Sequence, residues 1–174
     1  MDPLARVSES APDFVLPDLE ERVCRLAEQR GRIVVLNFWS VDCPHAARAD
    51  EILFRIRPAW GDRVMVWWLA SNANEPDEQR KLAAHQRQVG PVLLDAGQVV
   101  ADRYGAQTTP HLFVVDEGGV LRYAGAPDDV GFRQRVPIRH YLADAVGALL
   151  EGRAPEPAST PAFGCALVRM PFNP

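Results

Sequence analysis

Two stretches of the chain are almost continuously apolar: RIVVLNFW (residues 32–39) and RVMVWWLA (residues 63–70). Both have strand length and are rich in β-branched and aromatic residues, the pattern of central strands covered on both faces. Between them the apolar period lengthens. Pro44 suits a first helical turn, where its missing N–H costs nothing. Ile52, Leu53, Ile56 and Trp60 then recur at helical spacing up to Gly61. The polar stretch SNANEPDEQRKLAAHQRQVG predicts a second helix from about Pro76 to Gln88, stopped by Gly90-Pro91.

Further along, VLLD reads as a short strand and AGQVVADRYGA as a short helix closed by Gly105. HLFVVDEGGVLRYAG reads as a hairpin turning at Asp116 to Gly119. A last amphipathic helix is expected from about Val136 to Leu150, with Tyr141, Leu142, Ala145 and Leu149 facing inward. Ahead of the main sheet, alternating runs at Phe14–Leu16 and Arg22–Leu26 predict a small N-terminal β-hairpin. Beyond Gly152, RAPEPASTPAFGCALVRMPFNP is proline-rich and expected to be extended. Strands alternating with helices before a closing hairpin and helix define an α/β fold, a central mixed β-sheet flanked by helices. The expected organisation is one domain over residues 1–152 and a C-terminal tail over residues 153–174.

Composition narrows the function classes. A chain of 174 residues, 47% apolar and 24% charged, is long enough to bury a substantial core. A net charge of −4 argues against a nucleic-acid partner and against a basic membrane-binding face. No stretch approaches the roughly 20 apolar residues of a membrane helix, and MDPLARVSES lacks the apolar run of a secretory leader, so a cytoplasmic location is expected. The three cysteines, Cys24, Cys43 and Cys165, are too few and too scattered for a structural disulfide framework.

The chemistry centres on NFWSVDCPHAARAD, where a buried strand runs into Cys43-Pro44-His45 and Ala46 stands where C-x-x-C would place a second sulfur. A cysteine at a helix N-terminus is acidified by free N–H groups and the helix dipole. His45 adds to that effect when protonated, and Asp42 opposes it if it faces the sulfur. Cys43 is therefore the candidate nucleophile, and Cys24, in a hairpin strand between charged neighbours, is expected to be structural. Cys165 follows a proline-rich run that spans roughly 35 Å when extended, against a domain radius of gyration of about 16 Å, so it can reach much of the surface. His111, Arg122, Asp128 and Asp129 read as structural. With no glycine-rich nucleotide loop, and no second ligand pair beside Cys43 and His45, no cofactor and no metal is expected.

APDFVLPDL, VVLNFWSVDCP, YGAQTTPHLFVVDEGGVLRYAGAPDD and the FGC tail together resemble the alkyl hydroperoxide reductase/thiol-specific antioxidant (AhpC/TSA) superfamily, redoxins of thioredoxin-like fold. The resemblance implies that Cys43 is the attacking cysteine and that Thr109-Pro110 is the Thr–cis-Pro pair facing it. It implies a substrate groove along that pair with a backbone edge open to a peptide or thiol partner, and Cys165 as a resolving cysteine. The chain departs from the pattern at Ala46 and Asp42, and it lacks the threonine and arginine with which peroxiredoxins hold peroxide. The expected activity is a thiol-dependent oxidoreductase in which Cys43 attacks a peroxide or a disulfide and Cys165 or an external thiol resolves the product. Its partners would be a thiol reductant or a protein disulfide, and a homodimer is one assembly open to it. The alternative is a redox-inactive binding or scaffold protein that keeps only the cis-proline groove.

Overall fold

The computed structural model describes residues 4–171. Its centre is a five-stranded mixed sheet in the order β5-β4-β3-β7-β8. The two apolar runs form β3 (Ile33–Trp39) and β4 (Val64–Ala70), paired in parallel with β5 (Val92–Leu94) beyond β4. On the other side β7 (His111–Val115) and β8 (Leu121–Gly125) form the expected hairpin, with β7 pairing antiparallel to β3. All seven residues of β3 are buried, as a strand with both faces covered requires.

Side chains alternate across β3 into two cores. Ile33, Val35 and Trp39 pack with Leu53 of α1 (Pro44–Ile56), Ala84 of α2 (Asp77–Arg87) and Leu142 of α4 (Tyr141–Leu150). Val34, Leu36 and Phe38 pack on the opposite face with Phe14 and with Val100 and Tyr104 of α3 (Val99–Tyr104). The N-terminal hairpin is present as β1 (Val15–Pro17) and β2 (Val23–Arg25), and Cys24 sits half-buried against the second core.

One expected boundary is wrong. The last helix begins at Tyr141, not near Val136. The backbone of the preceding segment bonds elsewhere: Ile138 N–H donates to the Asp129 carboxylate at 2.9 Å, and Arg139 O accepts from Asp129 N–H at 3.2 Å. The apolar pattern there marks an exposed loop, in which Val136 and Ile138 face solvent.

The tail is extended and docked. Thr160 N–H bonds to Ala124 O along the edge of β8, and the Thr160 hydroxyl accepts from Ala126 N–H at 3.0 Å. A Cβ on Gly125 would sit 2.1 Å from that hydroxyl oxygen, so this crossing needs glycine. The chain then forms β9 (Cys165–Ala166), antiparallel to β6 (Thr108–Thr109), with Thr109 opposite Cys165. Leu167 enters the second core. Val168 is held on both sides by side-chain amides: its N–H donates to Asn72 Oδ1 (2.8 Å) and its carbonyl accepts from Gln98 Nε2 (2.7 Å).

His111 opens β7 beneath this region, buried, with its ring 4.5 Å from that of Phe113. Burial lowers its pKa to about 4. The unfolded chain protonates near the ordinary value of about 6.5, so between these pH values it binds the extra proton and stability falls as pH falls. The full loss is about 3 kcal/mol. Urea titrations from pH 7 to pH 4 are expected to show a shallower acid loss in His111→Phe than in the parent.

Candidate active site

Strand β3 ends at Trp39, three residues carry the chain over the sheet edge, and Cys43 caps the N-terminus of α1 with Pro44 in the first turn. The cap is made by sulfur: Cys43 Sγ accepts from Ala46 N–H at 3.4 Å. Ala46 itself is fully buried, and its side chain lies in the first core. The nearest sulfur comes instead from the tail: Cys165 Sγ lies 2.6 Å from Cys43 Sγ across 122 residues of sequence, both as free thiols.

The pair is seated on the Thr109-Pro110 turn. That peptide bond is cis, and Thr109 O lies 2.9 Å from Cys43 Sγ. The expectation of an open backbone edge at this point is overturned, because β9 of the chain's own tail pairs with it. Close approach at the crossing depends on Gly164, where a Cβ would lie 2.3 Å from Thr109 O. The Thr109 hydroxyl is buried without a hydrogen-bond partner among the described residues, and its proximity favours the ionised form of the adjacent Cys43.

Burial works against ionisation of Cys43, but the Cys165 thiol, the N–H groups of Ala46 and Cys165 and the Thr109 hydroxyl together outweigh it, and the pKa is lowered. Cys165 moves the opposite way, pushed up to about 11 by burial and by the neighbouring Cys43 sulfur. The two sulfurs therefore differ in acidity, with Cys43 the readier to ionise. Asp42 is exposed, and the His45 ring packs edge-on against Phe163 with centroids 4.9 Å apart. Alkylation by iodoacetamide is expected to give Cys43 a midpoint below the roughly 8.5 of a free thiol. Cys165→Ala removes the thiol donor and raises that midpoint; Cys43→Ser lowers the midpoint of Cys165.

Two groups around the pair carry no motif in the sequence. Glu75 is buried, and its Oε1 accepts from Ser40 Oγ (2.5 Å), Val41 N–H (3.1 Å) and Asn72 Nδ2 (2.8 Å). Its Oε2 is buried without a partner among the described residues. With Ser40, Asp42, Asn72, Asn74 and Val168, Glu75 lines a cavity of about 130 Å³ that opens onto both sulfurs. Arg87 binds the carbonyls of Ser40 and Val41 and pairs with buried Asp50 at 3.3 Å, which fixes the loop leading to Cys43. The only sequence signal for Glu75 or Arg87 was their place at the two ends of a polar helix. Among the described residues no cluster of three His, Cys, Asp or Glu side chains is arranged to hold a metal ion, and no helix is long and apolar enough to cross a membrane.

A cysteine capping the first helix after a central strand, facing a cis-proline, defines a thioredoxin-like protein. Residues 7–124 match the AhpC/TSA family, and the chain belongs to it. It is 34% identical over 117 residues to the thiol-disulfide oxidoreductase ResA of Geobacillus thermodenitrificans, covering 67% of each chain. A hypothetical protein of Sinorhizobium meliloti superposes with a TM-score of 0.86 at 29% identity, covering 96% of each chain. The thioredoxin domain of a thiol-disulfide oxidoreductase from Bacteroides vulgatus shares the fold at 19% identity, with a TM-score of 0.62 over 75% of this chain and 92% of that one.

Proposed function

We propose that the protein is a thiol-disulfide oxidoreductase whose redox couple is Cys43 with Cys165. The observation that carries this is the 2.6 Å approach of the two sulfurs beside Thr109 and cis-Pro110. The Cys43 thiolate attacks one sulfur of a substrate disulfide, forming a mixed disulfide and releasing the other substrate sulfur as a thiolate, which takes up a proton. Cys165 then gives up its proton and attacks Cys43 Sγ, closing the Cys43–Cys165 bond and releasing the second substrate thiol. Two electrons pass from the pair to the substrate. The dithiol logic of C-x-x-C is kept, with the second sulfur supplied by the tail.

Disulfide exchange is favoured over peroxide reduction by the cavity lining. It offers the carboxylates of Asp42 and Glu75 and no guanidinium to hold or polarise a peroxide. A name of thiol-disulfide oxidoreductase among the relatives supports the same choice. The test compares second-order rates of reduced protein with 2-hydroxyethyl disulfide and with hydrogen peroxide, beside Cys43→Ser. Faster reaction with the disulfide than an unstructured cysteine peptide shows, lost in Cys43→Ser, supports the proposal. A larger acceleration with peroxide would make the protein a peroxidase. No acceleration with either would leave the scaffold reading.

A further inference from the structure

In the oxidised couple a reductant can attack either sulfur, and the two are not equivalent. Cys43 is 2% exposed, whereas Cys165 is half-buried. Cys43 is also the more acidic thiol, hence the better leaving group. Access and leaving-group ability both direct attack to Cys165.

The surface beside Cys165 has a distinctive make-up. Phe163, two residues away, packs edge-on against His45 on one side and Phe132 on the other, with centroids 4.9 and 5.1 Å apart. Phe132 is 83% exposed and Val136 on the same loop 73% exposed. The loop over residues 130–140 contains Arg133, Arg135 and Arg139 and no carboxylate, in a chain of net charge −4. Arg139 lies 5.3 Å over the Tyr141 ring. Arg133 and Arg135 make no ion pair or side-chain hydrogen bond among the described residues. The loop is nonetheless organised: Gly131 N–H donates to Gln134 O at 2.8 Å, and Gln134 Nε2 donates to Asp129 at 2.7 Å. Three arginines, against the single carboxylate of Asp129 that the loop folds around, interleaved with exposed apolar side chains, fit a partner with carboxylates around an apolar contact.

We propose that the face formed by Phe132, Val136 and Phe163 with Arg133, Arg135 and Arg139 docks the reductant of the oxidised pair, a dithiol protein with carboxylates flanking its reactive cysteine, and directs it to Cys165. This rests on the reading of Cys43 and Cys165 as the redox couple. The partner's thiolate attacks Cys165 Sγ. The Cys43–Cys165 bond breaks, and its electron pair leaves on Cys43 as thiolate. The partner's second thiol, on losing its proton, attacks its own first sulfur and releases Cys165, which takes up that proton. The partner ends as a disulfide and the pair as two reduced cysteines.

The probes are two synthetic peptides with one cysteine each, flanked by glutamates in one and lysines in the other. Each peptide's rate of reducing the oxidised protein is divided by its rate with 2-hydroxyethyl disulfide, which removes the difference in intrinsic thiol reactivity. At low ionic strength the normalised rate of the glutamate peptide is expected to exceed that of the lysine peptide on the order of tenfold. The ratio should fall toward one as salt shortens the screening length. It should invert in the triple variant Arg133→Glu/Arg135→Glu/Arg139→Glu. Acid-quenched adducts should map to Cys165. Equal normalised rates at low salt, a lysine preference of the kind the net negative charge alone would give, or adducts on Cys43 would overturn the docking proposal while leaving the couple intact. If oxidation yields no Cys43–Cys165 disulfide before any peptide is added, the couple itself fails and the docking proposal falls with it.

Discussion

Gly164→Ala is expected to slow closure of the Cys43–Cys165 disulfide by at least about a hundredfold, the scale on which an ångström of misplacement matters to a reacting pair. The added methyl would lie 2.3 Å from Thr109 O and 3.0 Å from Pro110 Cδ, neither of which belongs to a flexible side-chain end. Strand β9 cannot keep its register with Thr109 opposite Cys165 under that contact. The tail must lift, and it carries Cys165 away. Its lifting also uncovers Cys43, so the same variant should alkylate faster at Cys43 while forming the disulfide more slowly. Stopped-flow oxidation and iodoacetamide labelling read the two effects separately. A variant that closes the disulfide at the parent rate would show that pairing along Thr109 does not set the sulfur geometry.

The second large effect is on stability. Asp50 is 3% exposed and accepts from the indole N–H of Trp39 at 2.8 Å and of Trp68 at 2.7 Å, besides its pair with Arg87. Asp50→Ala strands two buried indole donors and loosens the guanidinium that holds the Ser40 and Val41 carbonyls. The expected loss is about 3–5 kcal/mol, read as a fall in the urea midpoint without a change in slope. Asp50→Asn keeps one acceptor and should lose less. Because Arg87 touches the loop before Cys43, Asp50→Ala should also change the alkylation midpoint of Cys43, a change that loss of core packing elsewhere would not produce.

Most of the fold was legible in the sequence because the signals were local. The runs of β3 and β4 had to be buried on both faces. The turn at Cys43 followed from a strand running into Pro44, and the cis bond was implied by the resemblance at Thr109-Pro110. The Val136–His140 segment misled because its apolar side chains carry a helical spacing, while Asp129, outside the segment, takes its backbone bonds. The docking of the tail was illegible for a stronger reason. Nothing near Cys165 says that Asn72 and Gln98, distant in sequence and ordinary in type, will hold the backbone of Val168 and deliver the sulfur to Cys43. Extended reach allowed the encounter; long-range hydrogen bonds decide it. Glu75 was invisible in the same way, since a glutamate before a polar helix reads as a solvated residue until Ser40 and Asn72 close around it.

The most direct measurement treats the reduced protein with one equivalent of 2-hydroxyethyl disulfide, blocks the remaining thiols and maps the peptides without reductant, beside Cys165→Ser. A disulfide joining the Cys43 and Cys165 peptides, with Cys24 alkylated and a Cys43–mercaptoethanol adduct persisting only in the variant, is the expected result. A Cys43 adduct that persists in the parent with Cys165 free, or a Cys43 that stays unreacted, would contradict the tail as the source of the second sulfur.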